Sequence, residues 1–406
     1  MPAIPILQTR DLRARFKALD RFLLDHQTLW RPRPFTHREL PWESTYPELA
    51  SWLRSRTLAE ADAAHNHPDQ LRAPSPFADI AAESVALSAV GKLPVVEIPP
   101  VSSRTAVDVP GRKWQQIEAF ASALIFETSP GHWLDWCAGK GHLGRRLAHS
   151  GQALTCLEYD PHLIDAGRQL SAHLHLNAEH IEQDVMAPGA AARLLAHHTP
   201  VALHACGDLH VRLMQVASDA DCQHMAIAPC CYNRTAAQRF QALSAEGQAS
   251  TLELSIDDLG LPLSETVTAG ARVRRQRDTS MARRLAFDLL QRQVRGLDQY
   301  LPTPSLPVAW LDKPFADYLR DLGALKSIAI TGDQDWPALE AAGWQRLAEV
   351  RNLELVRNLF RRPLELWLIL DRALFLEARG YSVRIGTFCE PKITPRNLMI
   401  LAERFP

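Results

Sequence analysis

The chain has 406 residues, 46% of them hydrophobic and 22% charged, with a formal net charge of -1. That length exceeds one ordinary core and implies two or three folded units, while the composition excludes disorder, collagen and coiled coil. A near-zero charge excludes a global basic field for nucleic acid, no apolar run reaches a membrane span, and Met1 to Asp11 lack the features of a secretion signal, so a cytoplasmic protein is expected.

Residues 1 to about 65 read as helices rich in aromatics, with Phe16, Leu19, Phe22 and Leu23 at helical spacing and a break at Pro32 to Phe35. Prolines recur from Asn66 to Pro110 around one apolar run, Leu93 to Ile98, which reads as a connector with one strand. After a helix at Trp114 to Phe126, strands are expected at His132 to Cys137, Ala153 to Glu158, His180 to Asp184, Val201 to Ala205 and His224 to Ala228. Helices are expected between them at Leu143 to Ser150, Pro161 to His173 and Ala190 to His198. Short apolar strands alternating with helices define a Rossmann-like, doubly wound α/β domain with a mostly parallel sheet.

The alternation stops after Arg234, and helices are expected at Thr235 to Glu246, Thr279 to Gln293 and Pro314 to Leu322. A strong helix, Leu364 to Arg379, ends at Gly380 and precedes an antiparallel hairpin, Tyr381 to Cys389 and Asn397 to Ala402, that completes a seven-stranded sheet. The expected organisation is a helical N-terminal region and linker (1–110), the first part of the sheet domain (111–235), a mostly helical insertion (236–359) and the last helix and hairpin (360–406).

The segment WLDWCAGKGHLGRRL, Trp133 to Leu147, is a strand ending near Asp135, followed by a turn with Cys137, Gly139, Gly141 and Gly144 that leads into a helix. Glycines there allow positive φ and a close ligand approach. Glu158 ends the next strand, where a carboxylate accepts from both hydroxyls of a ribose, and Asp184 ends the third, where it can accept from an adenine amino group. Acids on three consecutive strand ends suit a positively charged methyl-sulfonium donor better than a dinucleotide, which needs a phosphate cradle. GKGHLG (Gly139 to Gly144) also satisfies the dinucleotide pattern GxGxxG, which alone is a weak signal.

These motifs resemble a class I S-adenosylmethionine-dependent methyltransferase. DWCAGKGHLG, LHACGDLH (Leu203 to His210) and APCCYNR (Ala228 to Arg234) resemble, more narrowly, the methyltransferase-like family labelled "rRNA adenine dimethylase domain-containing" and its tRNA 2′-O-methyltransferase relatives; ELWLILDRALFLEARG and ITPRNLMILA extend the likeness to the C-terminus. The resemblance covers roughly residues 110 to 235 and 360 to 406. It implies S-adenosyl-L-methionine as cofactor, with Asp135, Cys137, Gly139, Gly141, Glu158, Asp184 and His204 around it. Class I motifs usually carry glycine where Cys137 stands, so a slightly wider turn is expected. The fourth strand ends in HACGDL and lacks the Asn/Asp-Pro-Pro-Tyr tetrad of adenine N6 methylation, which counts against that reaction.

The acceptor side gathers His204, Asp208, Cys230, Cys231 and Tyr232 as candidate catalytic residues. His204 or Asp208 could take a proton from the acceptor, and Tyr232 could stack on a planar acceptor; Cys206 and His204 also read as ordinary core residues. Cys230 and Cys231 admit a thiolate mechanism, as in cytosine C5 methylation. Zinc on Cys206, Cys230 and His204 is the weakest alternative, because adjacent cysteines rarely share one ion, and no metal is expected. Seven cysteines without a CxxC spacing read as reduced thiols. Arg396, in the TPRN turn, could point into the cleft. An RNA acceptor is expected from the eight arginines between Arg272 and Arg295 and from the family's RNA-modifying relatives. A protein side chain or small molecule is the other acceptor, and a non-catalytic adaptor that binds cofactor or RNA is the reading from another class.

Overall fold

The computed structural model describes residues 4–264, 270–331 and 333–404. Its strands are β1 (Leu7–Gln8), β2 (His132–Trp136), β3 (Ala153–Glu158), β4 (Ala178–Glu182), β5 (His198–Cys206), β6 (His224–Cys230), β7 (Ser382–Thr387) and β8 (Leu398–Glu403). They form one eight-stranded sheet in the order β1-β7-β8-β6-β5-β2-β3-β4. β2 to β6 pair in parallel, β8 runs antiparallel between β6 and β7, and β1 runs antiparallel to β7. This is the expected Rossmann-like sheet with its C-terminal hairpin, one strand wider than expected because two residues are too few to read as a strand. The chain order reverses at the β2/β5 junction, and in such a sheet the crevice at the strands' carboxyl ends is where ligands bind.

Leu134, Leu154, Cys156, Val201, Ala202, Ala226 and Ile227 are buried at 1% exposure or less. These strands read as continuous apolar runs because helices cover both faces of a parallel sheet. The helix Pro161–His173 starts as expected, capped by the Asp160 carboxylate, which accepts from the His162 amide at 2.8 Å.

Two expected helices do not form. At Ala190 to His198 the alanine-rich stretch forms only a 3-10 segment, Pro188–Arg193, and β5 already begins at His198. Over Thr235 to Glu246, tertiary partners take the amides a helix would use: the Ala236 amide donates to Asp208, the Phe240 amide to the Leu254 carbonyl, and those of Leu243 and Ser244 to Asp371. Only Ala245–Ala249 is helical there. The apolar run Leu93 to Ile98 carries no strand; Lys92 makes an isolated bridge to Thr387 instead.

The helix Arg361–Ala378 is buried on nearly all sides, from Leu364 and Leu366 to Leu374 and Leu376. The helix Thr9–Asp25 lies against it through Phe16, whose ring centroid is 5.0 Å from that of Trp367, and through Asp20, which accepts from the Trp367 indole at 2.9 Å. Asp371, fully buried, accepts from the Ser244 amide and hydroxyl at 3.0 and 2.8 Å and from the Leu243 amide at 3.1 Å.

The chain divides into two compact units: Met1–Asp25, Leu87–Val267 and Arg362–Pro406 form the sheet unit, and His26–Ala86 with Thr268–Arg361 form the second. The division differs from the boundaries expected by sequence, because polar side chains of the helix Trp336–Asn358 satisfy carbonyls of the N-terminal segment. Arg346 donates to the Pro34 and His37 carbonyls, Asn352 to those of Arg56 and Thr57, and Arg357 to that of Trp30. Hydropathy carries no trace of such ties. Much of the arginine run is engaged inside the second unit: Arg283 donates to the Lys313 carbonyl, Arg284 to that of Pro304, and Arg292 pairs with Asp288 and Asp298. No helix among the described residues is long and apolar enough to cross a membrane.

Replacing Asp371 with alanine strands the Leu243 and Ser244 amides in the interior, so Asp371→Ala is expected to cost about 3 kcal/mol or more of unfolding free energy. Urea denaturation monitored by Trp fluorescence checks this, and an unchanged midpoint would contradict the assignment.

Candidate active site

The turn after β2 holds its backbone in the left-handed region at three positions: Cys137 (φ 57), Gly139 (φ 58) and Gly141 (φ 74). Cys137 adopts the conformation glycine would take, at a steric cost of roughly 1 to 2 kcal/mol, and burial pushes its thiol up to about 12. The glycines have separate reasons. A side chain on Gly141 would meet the His180 ring at 2.9 Å and Cys156 Sγ at 3.0 Å, and one on Gly144 would meet Leu154 at 2.5 Å, so both are packing constraints. Nothing lies within 4 Å of a Cβ on Gly139, which leaves open space there for a ligand to reach the backbone.

Asp135 is buried at 3% exposure, and its Oδ2 accepts from the Gly144 amide at 2.8 Å. Burial raises this carboxyl to about 7, against the opposing effects of the Gly144 amide and of Arg145 and Lys113. Glu158 accepts from the Gly139 amide at 2.8 Å on Oε2, and from the Tyr159 and Asp160 amides at 2.9 and 3.1 Å on Oε1. A carboxylate offers about four acceptor positions, so the Gly139 turn occupies part of the capacity expected for both ribose hydroxyls. Asp184 does not end a strand: β4 stops at Glu182, the register partner of Glu158. Asp184 lies exposed in the following loop, where Oδ1 accepts from the Met186 amide, and the Gln183 amide anchors that loop to the Glu158 carbonyl at 2.7 Å. Acidic groups thus collect at adjoining strand ends, and the open space at Gly139 fits a cationic nucleoside donor. Sequence reasoning missed three neighbours: Tyr159 (71% exposed) and Met186 (46%), which follow these acids along the chain, and Lys113, whose charge acts on Asp135, His142 and His204.

At the neighbouring strand ends the register of β5 with β6 shifts between Leu203 and Cys206. His204 lies in that irregularity at φ 93, a strained conformation for a side-chain-bearing residue and one that concentrates at functional sites. Its side chain reaches solvent, yet the surrounding protein, then Lys113, push the imidazole down to about 4, so it is neutral at physiological pH. Cys206 and Cys230 are register partners with sulfurs 3.5 Å apart, and Cys231 follows at φ 48. Hydrogen bonds from the thiols of Cys206 and Cys230, with Arg396 and Arg234 adding to them, hold the Cys231 thiol well below its usual range, while the same contacts raise that of Cys230. His204, Cys230 and Cys231 line a cavity of about 440 Å³ together with Arg112, Gln116 and Arg396. Arg396 thus reaches the cleft.

One expected role changes. The Asp208 carboxylate accepts from the Ala236 amide at 2.8 Å on Oδ2, a tie between the helix Asp208–Asp219 and the loop after β6 that leaves its other oxygen available. Tyr232 is 2% exposed, with the Arg372 guanidinium 5.3 Å above its ring and His210 at its edge, so it cannot stack on an acceptor. His210 is itself buried between the Ala205 carbonyl and Arg372, and burial pushes it down to about 3.

A mostly parallel, doubly wound sheet with a glycine turn after β2 is a Rossmann-like α/β domain. Residues 112–238 match the model of a family described as a methyltransferase domain. Among solved structures, the chain is 18% identical to one from work on the conversion of a disulfide bond into a thioacetal group during echinomycin biosynthesis, over 52% of this chain and 66% of that one, at a TM-score of 0.22. It is 12% identical to the plantazolicin methyltransferase BpumL in complex with SAH, over 66% of this chain and 91% of that one, at a TM-score of 0.23. The chain thus spans slightly less than two thirds of the first of these, and at such scores neither likeness bears on the site. No curated protein matches the sequence.

Because Asp135 is raised, the native state keeps a proton that the unfolded chain releases above about pH 4. Its contribution to stability therefore falls as pH rises from about 4 to 7, by a few kcal/mol at about 1.4 per unit. Asp135→Asn is expected to flatten that part of the stability-against-pH curve. Gly139→Ala and Gly144→Ala should differ in kind: the first has room for its Cβ but takes on the backbone strain of φ 58, roughly 1 kcal/mol, and weakens S-adenosylmethionine binding at least about 10-fold, while the second, whose Cβ would meet Leu154 at 2.5 Å, lowers the melting temperature further. Calorimetric titration and thermal unfolding of the two variants check this.

Proposed function

We propose that the protein transfers a methyl group from S-adenosylmethionine to RNA, with tRNA and rRNA as the acceptor classes suggested by its resemblance to the "rRNA adenine dimethylase domain-containing" family and that family's 2′-O-methylating relatives. The observation that carries this reading is the pair Arg112 and Arg396 lining the acceptor cavity beside His204. Guanidinium groups around a neutral proton acceptor suit a substrate whose nucleophile lies next to phosphates. Arg272 and Arg275 add support: they are exposed in the first turns of the helix Ala271–Arg295, which has no acidic residue in its first turn. Cations at that end oppose the helix dipole, and an anionic partner would relieve the conflict.

When bound, the cofactor supplies a methyl group on a positively charged sulfur, an electrophile that needs no further activation. The chain's residues then have to orient donor and acceptor and remove a proton. Gly139 leaves room for the donor, and Asp135 holds the turn beside it through the Gly144 amide. Glu158 offers its remaining acceptor position to the ribose, and Asp184, on its anchored loop, is at hand for the base. Lys113 is the cation available to the methionine carboxylate. On the other side His204, neutral and held by the strand irregularity, accepts the proton that leaves the acceptor. The absence of an Asn/Asp-Pro-Pro-Tyr tetrad and the burial of Tyr232 both disfavour adenine N6 as the target atom.

The test is incubation with methyl-labelled S-adenosylmethionine and extract from cells lacking the protein, followed by RNase or protease. Label removed by RNase is expected, and label removed only by protease would overturn the RNA assignment. Arg112→Ala and Arg396→Ala should each weaken RNA binding and reduce the slope of log affinity against log salt by about 0.7 per lost phosphate contact. His204→Ala should abolish transfer while leaving S-adenosylmethionine affinity within a few-fold.

A further inference from the structure

The proposed transfer leaves three thiols at the carboxyl edge without a task. We infer that Cys206, Cys230 and Cys231 form a binding site for one thiophilic divalent cation, zinc, with a fourth coordination position facing the acceptor cavity. The three sulfurs lie within 4.8 Å of one another, and those of Cys206 and Cys230 are 3.5 Å apart. Tetrahedral zinc with Zn–S bonds of about 2.3 Å places its sulfur ligands roughly 3.8 Å apart, so small side-chain adjustments close the site.

Adjacent residues of a strand point to opposite faces, which is why neighbouring cysteines rarely share an ion. Here the alternation is broken. β6 ends at Cys230, and Cys231 turns into the left-handed region at φ 48. Backbone bonds secure the arrangement, from the Gly207 amide to the Cys230 carbonyl at 3.1 Å and from the Arg234 amide to the Cys231 carbonyl at 2.8 Å. The approach of Gly207 to Arg234 is so close that a Cβ would lie 1.8 Å from the Arg234 carbonyl oxygen. The strained turn is therefore built into the chain and precedes any ion.

Charge also fits. Three thiolates around a divalent cation carry a net charge of -1, and the charges of Arg234 and Arg396 act on this cluster. Cys230 and Cys231 line the cavity, so the fourth position opens towards the acceptor, as in zinc sites that take part in a reaction; closed structural sites use four protein ligands. A donor atom of the acceptor bound there would lose its proton more readily. The site stands whether or not the acceptor is RNA.

Among the described residues a second metal-like cluster, His132, His197 and His198 at the amino ends of β2 and β5, is poorer. His132 Nε2 is bonded to the Thr155 hydroxyl at 2.9 Å. His198 Nδ1 accepts from the Leu195 amide at 3.2 Å, which leaves the proton of the neutral ring on Nε2, the nitrogen a metal would need.

The test uses the full chain without a histidine tag, kept reduced and purified without chelator. About one equivalent of zinc by elemental mass spectrometry is expected, or, after stripping, one equivalent taken up in competition with a chromophoric chelator. Cobalt(II) added to the stripped wild-type chain should give an intense near-ultraviolet thiolate charge-transfer band, a readout that needs no variant to fold. Cys206→Ser, Cys230→Ser and Cys231→Ser should each weaken zinc at least about 100-fold, beyond the usual cost of losing a supporting residue, and Cys389→Ser should leave it unchanged. Absence of stoichiometric zinc or cobalt binding by the wild-type chain would overturn the proposal. So would binding that persists in the cysteine variants but is lost in His197→Ala, which would move the metal to the histidine cluster.

Discussion

The acceptor side of this protein depends on one close backbone approach. Gly207 sits against the Arg234 carbonyl with no room for a Cβ, and the Asp208 amide donates to the same carbonyl at 3.0 Å. The contact draws the loop after β6 onto the end of β5. It therefore brings Cys231 beside Cys206 and gives the Asp208 carboxylate the Ala236 amide as a partner. The left-handed conformations of Gly207 and Cys231, and of His204 just before them, belong to the same place in the sheet. Two parallel strands ending in regular geometry would have directed these side chains to alternate faces, and no cluster would have formed.

A second order is imposed by charge. The acids Asp135, Glu158 and Asp184 follow the strand ends β2 to β4, on one side of the point where the sheet order reverses. Arg112 and Arg396 line the cavity at the ends of β5 and β6, on the other side. The cationic donor and the anionic acceptor proposed above are each suited to the half they would occupy, and the division follows from the doubly wound topology itself. His204 lies where the halves meet, and its neutral state keeps it from adding charge to either.

The second unit owes its cohesion to polar side chains more than to a single apolar seam. Gly343 lets the helices Ala271–Arg295 and Trp336–Asn358 approach closely, since a Cβ there would lie 2.6 Å from the Ala282 carbonyl oxygen. Leu285, Leu347 and Val350 fill the contact between them. Around this core, Arg346, Arg357 and Asn352 satisfy carbonyls of residues 30–57. Buried guanidinium groups with several carbonyl partners specify geometry as well as stability, because each lost partner leaves a desolvated polar group. The arginine run that reads as one basic surface is thus two populations: Arg283, Arg284 and Arg292 hold the unit together, and Arg272 and Arg275 face solvent.

Local pattern alone determined the parallel sheet, the order of its strands along the chain, the glycine turn after β2 and the acids that follow. Each depends on periodicity or on the φ requirement of a single residue, and neither needs a distant partner. Tertiary structure decided the rest. It assigned Gly139 to ligand space and Gly141 and Gly144 to packing, a distinction set by His180, Cys156 and Leu154. It buried Tyr232 away from any acceptor and dissolved the helix expected over Thr235 to Glu246, because Asp208 and Asp371 claim its amides. It also joined residues 26–86 to 268–361 and gathered three thiols from two strand ends. Contacts between residues far apart in sequence leave no periodic mark in the chain, so these features appear only once the sheet has placed their partners side by side.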